Sequence, residues 1–498
     1  MSKIMFSKHM RLLMAAFGMG ICSLSAVAQN AVPYSPSTPP PMSFHFGVPT
    51  QEQSKAAHGD MQILQPRSGT LAYAYNIPIP KGKAPDGNGY TPYLVLSHLL
   101  STIGPNQSVQ VQPSASTSRT PLLRFQALRN PGNERSLAVL YEPQFSPDGR
   151  YLLLKLGVPW SFDTTYELYV FDTVTRDLRQ ACTQEGNYEL VSWSPDGNYI
   201  AFMAGGDAAG QVQAVHLSDV VYTGPIRLYV CEWRTGKVTQ VASNDTLRGP
   251  FTWLAPHTLF YGMLPELEVS PTNQKSAKQA VTPRPNVYEY DVDLHASRLT
   301  LQDAYRPMAA PNGKWIAFYG SEHPDAPFIL RDGWEDAPQG AALAVAHRNG
   351  SERVALNIEG GPYAFLQWLP TNLDETPKLL TVKQTRYGLN NEAEVREWNI
   401  ATRHFRVVAT LRAHDYEFSP RSVIEPQFLP LSLSSDGKTL LVQVVESFGP
   451  DPMYPPIGKM TFGVSLIRQS LQAVDLTSGR VSVITQVEGA HGLAWHEK

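Results

Sequence analysis

The sequence predicts an all-β protein: a single β-propeller of four-stranded antiparallel blades, about seven of them with six or eight as alternatives, closed by pairing of the C-terminal strand with N-terminal strands. Three observations predict it. A Ser-Pro-Asp-Gly corner followed by an apolar run recurs along the chain. A strand-turn-strand pattern recurs in step with it. The last segment repeats the approach to a corner with no corner after it, while an early strand has no corner before it.

The corner is clearest at Phe145-Ser146-Pro147-Asp148-Gly149-Arg150, followed by Tyr151-Leu152-Leu153-Leu154, and at Trp193-Ser194-Pro195-Asp196-Gly197-Asn198, followed by Tyr199-Ile200-Ala201-Phe202. Pro fixes φ at the first central position of a turn, Asp bonds nearby amides, and Gly accepts positive φ. The apolar β-prone run that follows reads as a buried strand. Degraded copies stand at Trp253-Leu254-Ala255-Pro256-His257, Ala310-Pro311-Asn312-Gly313, Trp368-Leu369-Pro370 and Ser434-Ser435-Asp436-Gly437. Their spacing, roughly 50 to 65 residues, is that of a propeller blade with loop insertions. Asp148, Asp196 and Asp436 are therefore expected as turn residues rather than catalytic acids, and Trp193, Trp253, Trp368 and Trp495 as blade packing.

The second half of each unit also repeats: Leu168-Tyr169-Val170-Phe171-Asp172, Leu228-Tyr229-Val230-Cys231-Glu232, Val287-Tyr288-Glu289-Tyr290-Asp291, Leu343-Ala344-Val345-Ala346, Val395-Arg396-Glu397-Trp398-Asn399 and Leu471-Gln472-Ala473-Val474-Asp475. A tight turn and another strand follow each, as at Arg234-Thr235-Gly236-Lys237 and Thr477-Ser478-Gly479-Arg480. A unit is thus strand, corner, strand, variable loop, strand, tight turn, strand.

At the N-terminus, Lys3, Lys8 and Arg11 precede an apolar run from Leu12 to Leu24 and a small-residue site at Ala26-Val27-Ala28. That is the pattern of a secretory leader over residues 1–28, and the run is shorter than the roughly 20 residues of a membrane span. Residues 29–67, rich in Pro and Ser at the start, read as a disordered tether. The ring is expected over 68–498. Residues 77–120 read as a long insertion, and 122–140 as a hairpin before the first full corner. The early strand Thr70–Tyr75 and the segment Gly492-Leu493-Ala494-Trp495 are expected to share one blade, which removes the open edges of a linear array.

The Ser-Pro-Asp-Gly-like repeats at 146–149, 194–197, 311–313 and 436–437 resemble the TolB-type, WD40-like propeller repeats of exported bacterial proteins. The resemblance covers about residues 68 to 498, and it implies fold more than function, because propellers host many activities. TolB carries an α/β domain ahead of its propeller, which the Pro-rich segment here does not supply. The related prolyl oligopeptidases carry a hydrolase domain after theirs. This chain shows no Gly-x-Ser-x-Gly nucleophile elbow.

A formal charge of −3, with 41 Lys and Arg against 44 Asp and Glu, gives no electrostatic footprint for nucleic acid. After a leader the chain keeps only Cys182 and Cys231. An exported protein could pair them, but they occupy different repeat positions and the reading favours buried thiols. No metal-ligand spacing, catalytic constellation or cofactor motif is present. Strand alternation puts the corners and tight turns on one face, and the variable loops on the other. Those loops carry the candidate contacts: Trp160, His216, Tyr222, Arg331, Trp334, Tyr387 and Tyr454. Trp, Tyr and Arg suit protein interfaces and sugar stacking. The sequence reading is an exported, non-catalytic propeller, periplasmic or secreted. It would bind a protein or a cell-envelope polymer, as a monomer or a subunit of an envelope complex, with no membrane span after leader removal. The alternative is a metal-dependent polysaccharide lyase or hydrolase with its site at the central channel, near His216, His323, His414 and His491.

Overall fold

Each Ser-Pro-Asp-Gly stretch closes a hairpin by the same set of bonds. Ser146 Oγ donates to Asp148 Oδ1 at 2.5 Å and accepts from the Tyr151 amide at 2.9 Å, while Asp148 Oδ1 accepts from the Arg150 amide at 3.1 Å. Gly149 lies at φ 70° and its amide donates to the Ser146 carbonyl at 2.8 Å. The corners at Ser194 and Ser434 repeat this network within a few tenths of an ångström. Where Ala310 replaces Ser, the backbone bond from Gly313 and the Asn312 side chain still close the turn. One short polar motif thus satisfies its own donors and acceptors without help from elsewhere.

In the computed structural model, the described residues are the strands named here with their short turns. Residues 1–61, 64–68, 79–89, 100–101, 104–108, 111–138, 158–166, 183–186, 206–211, 217–218, 223–225, 243–250, 264–284, 322–340, 358–364, 371–376, 387–389, 415–426, 451–464 and a few single positions lie outside them. Six four-stranded antiparallel blades follow one another. Blade I comprises Val139–Phe145, Tyr151–Gly157, Glu167–Asp172 and Leu178–Cys182. Blade II comprises Asn187–Trp193, Tyr199–Gly205, Ile226–Glu232 and Lys237–Ala242. Blade III runs from Thr252–Ala255 through Thr258–Met263 and Asn286–Asp291 to Ala296–Leu301. Blade IV runs from Ala304–Ala309 through Trp315–Ser321 and Ala341–His347 to Val354–Asn357. Blade V holds Phe365–Trp368, Lys378–Arg386, Asn390–Asn399 and His404–His414. Blade VI holds Gln427–Leu433, Thr439–Pro450, Ser465–Asp475 and Val481–Glu488. No helix occurs among the described residues, and this is a β-propeller.

The ends meet in a closing sheet ordered Tyr90–Leu99, Gly69–Pro78, Ala490–Glu497. Leu71 lies opposite Trp495 and Ala72 opposite Ala494. The Trp495 indole lies so close over Gly69 that a Cβ there would collide with the ring, which is why glycine stands at 69. The closing sheet leaves one expectation unconfirmed and corrects another. It has three strands among the described residues, so six four-stranded blades are present and a complete seventh is not confirmed. A fourth strand would have to come from the stretch between Leu99 and Val139. There, only Thr102–Ile103 and Val109–Gln110 are described, and they pair with each other. Residues 90–99 are also not part of an insertion: they form a ten-residue strand in register with Gly69–Pro78. The hairpin expected over 122–140 lies outside the described residues up to Val139 and Leu140, which open blade I. Gln62–Ile63 add a fifth strand to the outer edge of blade VI.

The core lies in the seams between blades. Leu153, Val170, Phe202 and Tyr229 fill seam I–II, Tyr319, Val345, Leu379 and Trp398 seam IV–V, and Leu71, Leu441, Leu471 and Trp495 the closing seam, all nearly or fully buried. The corner tryptophans add a polar staple to this packing. The indole N–H of Trp193 donates to the Gln144 carbonyl (3.2 Å), that of Trp253 to Ser192 (3.4 Å) and that of Trp368 to Met308 (2.9 Å). Each acceptor is the carbonyl two residues before the corner of the preceding blade.

The cysteine expectation is overturned. Cys182 and Cys231 form a disulfide, with Cα atoms 6.2 Å apart. Their repeat positions differ because the bond crosses a seam, from the fourth strand of blade I to the third strand of blade II.

The tight turns between third and fourth strands need a left-handed residue at one position. Gly236 (φ 76°) and Gly479 (φ 75°) fill it in blades II and VI, whereas blade V uses Arg403 at φ 60°. Arg403 is exposed, and its amide bonds to the Asn399 carbonyl as the glycines bond in their turns. A left-handed non-glycine residue costs about 1 kcal/mol, so Arg403→Gly is expected to stabilise the protein by about that amount. Chemical unfolding of the two proteins measures it, and an unchanged or lowered midpoint contradicts it.

Candidate binding face

The first strands of successive blades run side by side around the axis, and the fourth strands form the rim. Each first strand ends at a corner, so corners and third-to-fourth turns share one face. That face is made of short connections: 146–150, 194–198, 310–314 and 434–438 at the corners, and 173–177, 233–236, 292–295 and 476–480 at the turns. Their polar groups are spent on the turns themselves. Asp172 Oδ1 accepts from the amides of Val174 and Thr175, Asp291 Oδ1 from Asp293 and Leu294, and Asp475 Oδ1 from Thr477 and Ser478. The opposite face receives the second-to-third connections 158–166, 206–225, 264–285, 322–340, 387–389 and 451–464, which differ widely in length.

Asp148, Asp196 and Asp436 are turn residues, as expected. The four tryptophans pack in the blade seams, also as expected: Trp193, Trp368 and Trp495 are buried, and Trp253 is half-buried. Of the candidate contacts, Trp160, Arg331, Trp334, Tyr387 and Tyr454 lie outside the described residues. His216 and Tyr222 are placed by their backbones, on a hairpin of Val212–His216 and Asp219–Tyr222 within the 206–225 connection, where Tyr222 pairs with Val212 and His216 with Asp219. Of the four channel histidines, His414 and His491 do not share one radius. The backbone of His414 stands at the end of the rim strand of blade V, and that of His491 on the innermost strand of the closing sheet, opposite Ala74. His323 lies outside the described residues. Among the described residues no group of three or more His, Cys, Asp or Glu side chains is placed to hold a metal ion.

The charged clusters that are described bridge strands and seams. Glu289, 7% exposed on the third strand of blade III, accepts from Arg298 of its own blade at 2.9 and 3.0 Å, and from Arg348 of blade IV, including Arg348 Nε at 3.0 Å. Burial alone would push its carboxyl up. The bonds from Arg348 and Arg298 outweigh that and hold it below its ordinary range. Glu397, at the equivalent place in blade V, is treated alike: burial is overcome by Arg406 (2.9 Å) and Lys378 (3.1 Å). Arg406 also reaches the Leu476 carbonyl of blade VI at 3.3 Å. On the corner face, His257 Nδ1 lies 2.7 Å from Asp293, with Asp196 of blade II 3.9 Å from its Nε2.

A depressed carboxyl stabilises the fold fully above its unfolded value, near about pH 4.3 for glutamate, and loses that contribution as pH falls through the folded value. Glu289→Gln is therefore expected to cost about 2 kcal/mol at neutral pH. Its unfolding free energy should fall less steeply than the parent's below pH 4. Parallel acid-unfolding curves would contradict this.

Sequence reasoning found the turns and missed the cross-seam partners. A signal existed: Glu289 and Glu397 each interrupt an apolar alternation two residues before the turn residue, where an unpaired carboxylate would be costly.

No family model matches the chain, and no curated protein matches it. Solved structures do match, at low identity. An oligogalacturonate lyase in complex with manganese is 12% identical with a TM-score of 0.40, covering 84% of this chain and 85% of that one. TolB from Acinetobacter baumannii is 11% identical with a TM-score of 0.35, covering 86% and 83%. The β-propeller domain of the Trilobed protease from Pyrococcus furiosus is 10% identical with a TM-score of 0.42, covering 85% and 97%.

Proposed function

We propose that this protein is an exported β-propeller that binds a protein partner or a cell-envelope polymer through the face bearing its second-to-third connections, without chemistry of its own. The observation that carries the reading is the asymmetry of the two faces. One is built of short turns whose polar groups are consumed internally, and the other receives connections of unequal length, in which Trp160, His216, Tyr222, Arg331, Trp334, Tyr387 and Tyr454 stand. Unequal loops on a rigid scaffold are where recognition usually resides. Export is supported by the leader-like N-terminus and by a buried disulfide, a bond that persists in oxidising compartments.

The test is capture from envelope extract with the purified full chain, the Trp160→Ala/Trp334→Ala and Arg331→Ala/Tyr454→Ala variants, and Lys237→Ala on the opposite face as control. A partner is expected that the control retains and the loop variants lose. Turnover of a polyuronate or peptide by the parent chain, with no partner recovered, would replace this reading with the channel-centred enzyme.

A further inference from the structure

Cys182 and Cys231 are 1% and 0% exposed, sealed in seam I–II among Trp193, Phe202, Tyr229 and Trp233. The sequence holds three cysteines, and the third, Cys22, falls in the leader-like segment. Two consequences follow from chemistry. Thiol–disulfide exchange needs a thiolate to approach a sulfur along the S–S axis, and no other protein can do so through a closed seam. With two cysteines in residues 29–498, one intramolecular pairing is available, so nothing has to be reshuffled.

We infer that the chain is a substrate of a Cys-x-x-Cys dithiol–disulfide oxidoreductase that acts as a disulfide donor before blades I and II pack, and that it needs no disulfide isomerase. Cys182, the first of the two to be synthesised, attacks the donor disulfide as thiolate. The donor S–S bond breaks, a mixed disulfide forms, and one donor sulfur leaves as thiolate. Cys231 arrives with the third strand of blade II and attacks the Cys182 sulfur. That breaks the mixed disulfide, forms the seam bond and releases the donor as dithiol. Two electrons and, by way of water, the two thiol protons pass from the chain to the donor. Packing of the seam then shuts the bond away, so the order is oxidation first and ring assembly second. The inference rests on the export reading only for the compartment in which the donor is met.

The experiment uses the purified full chain, reduced, and a purified Cys-x-x-Cys oxidoreductase in its disulfide form. Oxidation is followed by alkylation and mass, once in urea and once after refolding under reducing conditions. The refolded chain is expected to react at least about 100-fold more slowly, because attack must wait for the seam to open. Equal rates overturn the inference. A second measurement does not depend on the reduced chain folding: Cys231→Ala, refolded with a donor whose second cysteine is replaced and whose first is carried as its mixed disulfide with thionitrobenzoate, is expected to accumulate a donor–Cys182 mixed disulfide as thionitrobenzoate leaves. Absence of that adduct overturns the inference as well. Cell fractionation with alkylation of free thiols separates the two readings: a cytoplasmic chain would sink the export reading, whereas an exported chain with Cys182 and Cys231 free would overturn the inference alone.

Discussion

Trp368→Ala is expected to lower the unfolding free energy by about 4 kcal/mol. The side chain is 1% exposed in seam IV–V, packed with Tyr319, Val345, Leu379 and Trp398. Truncation removes a large apolar surface from a site whose neighbours are β-strands of two blades, which cannot collapse into the space. It also removes the 2.9 Å bond to the Met308 carbonyl, leaving an acceptor to be satisfied by whatever water enters. Trp368→Phe separates the two contributions. It keeps most of the volume and loses the N–H, so it should cost about 1 to 2 kcal/mol. Chemical unfolding of the three proteins decides. A loss below 1 kcal/mol for the alanine variant would show that the seam repacks and that the tryptophan is not a staple.

Breaking the Cys182–Cys231 bond is expected to cost a similar amount. The two residues are 49 apart in sequence. The chain-entropy relation for a loop of that length gives about 4 kcal/mol of stabilisation lost on opening. Cys182→Ala/Cys231→Ala avoids a free thiol and leaves two small apolar side chains in the seam. Its unfolding midpoint should match that of the reduced parent and fall well below that of the oxidised one. Coincidence of the double variant with the oxidised parent would mean that seam I–II holds by packing alone.

The parts of this fold that a sequence displays are those that close over a few residues. The corner at 146–151 is complete within itself, since Ser146, Asp148 and Gly149 satisfy one another, so it can be recognised wherever it occurs. Closure was legible because Trp495 has the context of Trp193 without a corner after it, and Leu71 proved to be its partner. What was not legible lies across seams. The cysteines were judged by position within a repeat, but the fourth strand of one blade packs on the third strand of the next, so unlike positions meet. Arg348, just after the third strand of blade IV, likewise meets Glu289 across a seam. A complete seventh blade, expected because a strand pattern stands near each terminus, is not confirmed. The closing sheet draws on two distant pieces of chain, and three of its strands are described. The candidate contacts were legible only as residue types in connections, because aperiodic segments carry no pattern that fixes where a side chain points.

The central claim is that one ring is closed by strands from its two ends, and a cross-link at the junction tests it most directly. Ala72 and Ala494 face each other in the closing sheet, both buried. Opposed antiparallel residues have Cα atoms about 4.5 to 5.5 Å apart, within the range a disulfide spans. Ala72→Cys/Ala494→Cys, oxidised at low protein concentration and digested, should yield one linked peptide containing residues 72 and 494 of the same chain. Recovery of both cysteines free, or linked only between chains, would contradict the closed ring.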